Sequence, residues 1–273
     1  MDSNQLLLFR YLLFLLRTMI TESKPLLIYT KKFNGLVWKI LISSDHSYVA
    51  IESRSSEDKT VTFSTIELES GKDLIHDLLL PETWNISMAY AASNCLILTL
   101  FDHSLLPERK GIISIDTIEG TINWERFNLS LNQADEHGLI VYDSKIQPKK
   151  YYRIGHQSAE ILKDSVVESN YAYSVSFPEL LSNFKLPKGI SEELILGKIS
   201  ALQVKDLEIV SFHQKVAGTE YLEQRLLVYQ GDKIFIDDIL ISGIQKLQPE
   251  SFFICNNRLF YIRSKSEIVS YLV

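Results

Sequence analysis

The feature that most constrains this 273-residue chain is a hairpin plan that recurs along it. Its clearest copy is Ser114-Ile115-Asp116-Thr117-Ile118-Glu119-Gly120-Thr121-Ile122-Asn123-Trp124, an alternating strand, a turn closed by glycine, and a second strand ending in tryptophan. Gly120 supplies the positive φ that a tight hairpin asks for. Forty-nine residues earlier, Thr65 to Ile75 repeats the plan, with Gly71 at the closing position and Ile75 in place of the Trp. Arg153 to Leu162 is a worn copy in which Ala159 replaces the glycine.

Further hairpins read at Leu226–Phe235 and Leu259–Val269, and an N-terminal one runs from Leu26–Thr30 through Asn34-Gly35 to Leu36-Val37-Trp38. Turn centres near 35, 71, 120, 159, 231 and 265 are spaced by 36, 49, 39, 72 and 34 residues, so the gap of 72 is expected to conceal one more unit around Leu194 to Phe212. Periods near forty, each holding about four short strands, are the mark of propeller blades. The expectation is an all-β chain: a β-propeller of about six four-stranded blades, with five to seven compatible, as one domain over residues 25–273. Gly71, Gly120, Trp38 and Trp124 are its expected framework residues. Thirteen Tyr and thirteen Phe, with abundant Ile, Val and Thr, suit pleated, half-buried strands. A β-sandwich of similar strands is the competing arrangement, separable by strand order.

The unit from Ser114 to Trp124 resembles the repeat of quinoprotein-dehydrogenase-type propellers, in which a small residue, an Asp and a Thr-Gly pair precede a Trp. Here Ser114 stands for the small residue and Glu119 for the Thr. The resemblance implies that Trp124 wedges between neighbouring blades; it implies fold, not chemistry. At whole-chain level, Tyr48–Arg54, Leu106–Ile112, Glu220-Tyr221-Leu222 and Phe252-Phe253 resemble a bacterial family of propeller-like proteins known as a domain of unknown function. That resemblance supplies no site.

The segment before the repeats, residues 1–24, is expected to be an N-terminal extension. Leu6 to Ile20 is apolar except for Arg10, Arg17 and Thr18, and a helix would place the two arginines on one face. The run is short for a bilayer span. It opens with Asp2 and offers no Ala-x-Ala, a poor fit to a secretory signal. A start at Met19 or a loosely attached helix is preferred over an interfacial anchor.

A formal net charge of −6 argues against nucleic acid, whose binding concentrates Lys and Arg on one surface. Cys95 and Cys255 sit in apolar runs as small hydrophobes, so neither a disulfide framework nor a metal site is read, and a reducing cytoplasm is the expected location. The six histidines lack ligand spacing, and no Gly-x-Gly-x-x-Gly, Walker loop or Gly-x-Ser-x-Gly elbow is present. No cofactor is implied.

Two polar groupings invite a closer look. Glu52 and Arg54 are two apart in a strand and share a face, reading as a surface ion pair. The stretch Asp102 to Lys110 concentrates Asp102, His103, Glu108 and Arg109 around Pro107. Adjacent residues cannot assemble a triad. A solvated hairpin loop is the plain reading, and those four residues are the binding candidates if the loop serves recognition. The leading expectation is a non-catalytic propeller that binds a protein or small-molecule ligand. The alternative is an enzyme or small-ligand binder with a polar site at the channel mouth.

Overall fold

The computed structural model describes residues 24–101, 109–162, 175–182, 184–248 and 251–273. These residues are all-β, with a 3-10 turn at Glu192–Leu194 as the sole helical element among them. β1 (Leu26–Lys32) leads into a meander of β2 (Leu36–Ile42), β3 (Tyr48–Ser55), β4 (Thr60–Glu67) and β5 (Asp73–Leu79). A second meander contains β6 (Ile86–Ala91), β7 (Cys95–Phe101), β8 (Arg109–Asp116) and β9 (Ile122–Arg126). The third contains β10 (Leu129–Asp135), β11 (Gly138–Asp143) and β12 (Tyr151–Ile154). After the short β13 (Val175–Ser176), a sheet is built in the order β14 (Glu179–Leu181), β15 (Ile195–Val204), β16 (Leu207–Lys215), β17 (Leu222–Gln230) and β18 (Lys233–Ile244). The chain ends on β19 (Phe252–Cys255), β20 (Arg258–Arg263) and β21 (Glu267–Leu272).

Strands that follow one another in sequence pair antiparallel within each meander. This succession is the blade pattern of a β-propeller, and it sets aside the sandwich arrangement, in which strands exchange between two facing sheets. The described strands form five sheets, the lower end of the expected range. The hidden unit expected around Leu194 to Phe212 is not a separate blade. Those residues are β15 and β16, which share one sheet with β17 and β18.

The described residues divide into two compact units. The first comprises Ile28–Val175 with Ile262–Val269, and the second Ser176–Tyr261 with Ser270–Val273 and the described residues up to Leu27. In the first unit, the sheets β2–β5 and β6–β9 pack through Tyr48, Phe63, Ile86, Met88, Leu96 and Leu98. Central strands such as β3 and β7 are largely buried on both faces, whereas the outer β5 is mostly exposed or half-buried. Tyr48 ties the two sheets further: its hydroxyl donates to the carbonyl of Ala92 at 2.7 Å, and burial pushes its pKa far up. The core of the second unit is formed by Val210, Phe212, Leu227 and Tyr229 with Leu186, Ile199 and Ala201.

Two hairpin expectations are borne out in backbone detail. Gly71 and Gly120 close the β4–β5 and β8–β9 turns at φ of +72° and +68°. In the worn copy Ala159 adopts the same left-handed conformation at +55°, so the turn kept its geometry after losing its glycine. The Asn34-Gly35 hairpin is corrected: β1 and β2 belong to different sheets. Gly35 is needed there for another reason. A Cβ on it would lie 2.4 Å from the carbonyl carbon and oxygen of Arg54, a distance no side chain tolerates.

β1 instead lies beside β21, so the N-terminal strand is held by the C-terminal hairpin within the first unit. Phe33 N–H donates to the Ser266 carbonyl, and the Thr30 hydroxyl donates to Glu267 at 2.7 Å. The guanidinium of Arg263 and the Thr30 hydroxyl hold the Glu267 carboxyl down at about 2, below its ordinary 4.5. A depressed folded pKa contributes stability above the ordinary value and loses it as pH falls toward the folded one. Glu267→Gln is therefore expected to flatten the decline of the urea midpoint between pH 4.5 and about 2. An unchanged decline would show that the closure does not depend on this carboxylate.

Candidate functional site

The first strands of the three meanders in the first unit share an irregularity. In β2, Val37 pairs with Ser53 and Lys39 with Glu52, leaving Trp38 as an extra residue. In β6, Met88 pairs with Leu98 and Tyr90 with Ile97, leaving Ala89. In β10, Leu131 pairs with Val141 and Gln133 with Ile140, leaving Asn132. Each strand thus carries a one-residue bulge near its middle. Bulges bend a strand, interrupt its pairing and re-aim a side chain, and they gather next to functional sites.

Trp38 is the largest of the re-aimed side chains and is 66% exposed. It shares the exposed side of β2 with Leu36, two residues earlier and 50% exposed. Its indole lies against a cation. The Arg54 guanidinium carbon lies 5.5 Å from the Trp38 ring and 5.5 Å from the Trp84 ring, and Lys59 covers Trp84 at 5.1 Å. Trp84 in turn leans on the core shared by the first two meanders.

Arg54 is held from behind. Its Nε and Nη2 donate to Glu52 Oε1 at 2.7 and 2.6 Å, Nη2 also donates to the Ile86 carbonyl at 2.7 Å, and Nη1 reaches the Trp84 carbonyl at 3.3 Å. Glu52 is fully buried, and its Oε2 accepts from the Ser87 hydroxyl and the Met88 N–H, both at 2.8 Å. The surface ion pair read from the sequence is therefore one whose carboxylate is fully buried and whose guanidinium is 16% exposed, and it joins β3 to β6. Lys39, next to the bulge, donates to the Met88 carbonyl at 2.6 Å. These bonds turn the charged groups behind Trp38 inward.

Asp102, His103 and Glu108 lie outside the described residues; Arg109 opens β8 with its backbone opposite Phe101, and its side chain also lies outside them. Trp124, Gly120 and Gly71 hold framework positions.

Two concave features lie elsewhere. A cleft of about 380 Å³ is lined by the turns Ala92–Cys95 and Gly155–Ser158. Beside it His156 stacks on Tyr90 at 5.5 Å, and burial keeps its imidazole below the usual histidine range. Asp45 bonds Ser93 at 2.6 Å; its burial raises the carboxyl pKa, but hydrogen bonds from Ser93, Ser47 and Ser43 outweigh that and hold it low. These groups are satisfied within the fold. An open depression of about 550 Å³ in the second unit is lined by Gly218–Tyr221 and Gln245, whose only ionisable side chain besides tyrosine is Glu220. Neither feature converges several reactive groups on one point, as a reaction centre requires. Among the described residues no group of three or more His, Cys, Asp or Glu is placed to share a metal ion.

Residues 42–124, which contain Glu52, Arg54, Trp84 and the β6 bulge, match the model of a family described as a domain of unknown function (DUF4905). No curated protein matches the chain. Among solved structures, the β-propeller domain of the Trilobed protease from Pyrococcus furiosus is similar over 85% of this chain and 65% of its own, at 12% identity and a TM-score of 0.32. An oligogalacturonate lyase in complex with manganese is similar over 87% of this chain and 64% of its own, at 9% identity and a TM-score of 0.26. The chain thus spans just under two thirds of the length of either. Likeness of this degree carries no functional inference, and the blade pattern rests on the sheets themselves.

Proposed function

We propose that this protein is a non-catalytic binding module of the β-propeller class, and that the bulged first strands of its first unit, centred on Trp38, form the recognition surface. The observation that carries the reading is an indole two-thirds exposed that lies against a guanidinium whose own charge is neutralised from the buried side. An exposed aromatic ring held rigid offers large contact area with little side-chain entropy left to lose on binding. Ordinary surface packing asks for no such support. Buried free thiols at Cys95 and Cys255 suit a reducing compartment, in keeping with a cytoplasmic role. No helix among the described residues is long and apolar enough to cross a membrane.

The test separates stability from recognition. Trp38→Ala removes a mainly solvent-facing ring and is expected to change stability by no more than about 0.5 kcal/mol. A ligand that binds only the folded state raises the melting temperature. Ligands found in a thermal-shift screen of the parent protein should fail to shift the Trp38→Ala variant. Equal shifts in both would place recognition away from this surface.

A further inference from the structure

We propose that one end of the third meander, where the β9–β10 turn meets the β11–β12 loop, docks on a bilayer surface that carries anionic headgroups. The proposal goes beyond the Trp38 reading and does not depend on it. Strand register brings the two connections together: Leu129, which opens β10, pairs with Asp143 at the end of β11, and Tyr142 pairs with Tyr151 at the start of β12. Hydrogen bonds and ring contacts then join them. One Asp143 carboxylate oxygen accepts from the Asn128 amide at 3.1 Å and the other from the Lys145 N–H at 2.9 Å, while the Ile146 N–H donates to the Asp143 carbonyl at 3.2 Å. The Tyr142 and Tyr151 rings meet edge to face at 5.4 Å, and the Lys149 ammonium lies 4.2 Å from the centre of the Tyr142 ring.

Two kinds of side chain gather at this end. Phe127, Ile146 and Tyr151 are each more than half exposed. Single exposed apolar residues are ordinary, but three on adjoining connections mark a contact surface. The charges beside them are mostly of one sign. Residues 126–128 and 143–151 carry Arg126, Lys145, Lys149 and Lys150 against the carboxylate of Asp143, in a chain whose net charge is −6. That carboxylate already accepts the bonds from Asn128 and Lys145, so it is turned to holding the loop.

The mixture decides the partner. A polyanion such as nucleic acid or an acidic peptide would engage the lysines and leave Ile146 and Phe127 in water. A bilayer surface uses both. Anionic headgroups attract the cations, and apolar side chains enter the boundary between headgroups and acyl chains. Tyrosine and lysine suit the step between, since the ring or methylene stem lies on the apolar side while the hydroxyl or ammonium stays among the headgroups. The negatively charged leaflet is the cytoplasmic one, which agrees with the compartment proposed above.

The test is sedimentation of the full chain with vesicles of phosphatidylcholine mixed with phosphatidylglycerol, and with vesicles of phosphatidylcholine alone. Polyglutamate and a single-stranded oligonucleotide are titrated separately as the charged alternatives. Binding to the mixed vesicles and not to phosphatidylcholine alone is expected, and it should weaken as salt screens the lysines. Lys145→Gln, Lys149→Gln and Lys150→Gln together should weaken it by about tenfold or more, and Ile146→Ser by about threefold or more at unchanged charge. These four residues are exposed, so both variants should keep the circular dichroism of the parent. No association with the mixed vesicles, or association that the triple variant retains in full, overturns the proposal. A loss in the triple variant with none in Ile146→Ser reduces the contact to charge alone, and tighter binding to polyglutamate or the oligonucleotide assigns the surface to a polyanion; either result overturns the bilayer assignment.

Discussion

Glu52→Ala is expected to destabilise the protein by about 3 to 5 kcal/mol, read as a lower urea midpoint with little change in slope. The variant leaves Arg54 largely buried, with a side chain only 16% exposed, and takes away the carboxylate that receives two of its donor contacts. It also strands the Ser87 hydroxyl and the Met88 N–H, which both donate to Glu52 Oε2. A buried pair contributes little net stability when whole, because desolvating two charges offsets their attraction; removing one partner exposes the full cost. Glu52→Ala combined with Arg54→Met should therefore be milder than Glu52→Ala alone. A loss under about 1 kcal/mol for the single variant would mean that water reaches Arg54 and that the pair behaves like a surface bridge. Loss of the pair should also disturb the guanidinium against Trp38, so a ligand held by Trp38 should bind more weakly in the variant although Glu52 is hidden from it.

Much of the fold was legible because it is written in period-two alternation and turn chemistry. Gly71 and Gly120 announced their hairpins, and even Ala159 could be placed by its register with them. The first turn misled because Asn34-Gly35 satisfies a hairpin pattern, whereas the glycine is there to clear the Arg54 backbone; close approach between chain segments leaves no local signature. The gap of 72 residues misled because the turn near 231 closes the sheet β14–β18, whose strands before it, with β13 and the stretch 182–194, fill the interval without another blade. The candidate site was harder to see. A bulge depends on pairing with a neighbour, so nothing within Leu36 to Ile42 says that Trp38 is the extra residue. Glu52 and Arg54 were noticed as a same-face pair, but their depth follows from β6 packing over them. The apolar run Val49-Ala50-Ile51 just before Glu52 was the available hint that this carboxylate is enclosed.

Trp124→Ala is expected to cost about 3 to 5 kcal/mol through the large cavity left by an indole at a sheet-to-sheet contact. Trp124 is 7% exposed and packs in a cluster that takes Cys95, Ile97 and Ile112 from the second meander and Leu129, Leu139, Val141 and Ile154 from the third. The side chain thus sits between these two meanders. It also has a polar anchor: the indole Nε1–H donates to the His156 carbonyl at 2.9 Å, which also accepts from the Ser114 hydroxyl at 2.8 Å. The two contributions separate by substitution. Trp124→Phe keeps most of the bulk and gives up the donor, so its loss should be nearer the ~1 kcal/mol of a single hydrogen bond than that of the alanine variant, with the remainder set by how well the smaller ring fills the site. Because the chain forms two compact units, unfolding should be followed by far-ultraviolet circular dichroism and by hydrogen exchange, which assigns the loss to the strands affected. Faster exchange concentrated in β6–β12, with the β15–β18 sheet little changed, is the result that fits an indole holding neighbouring meanders together. A variant that loses less than about 1 kcal/mol would mean that the two meanders close over the space without it.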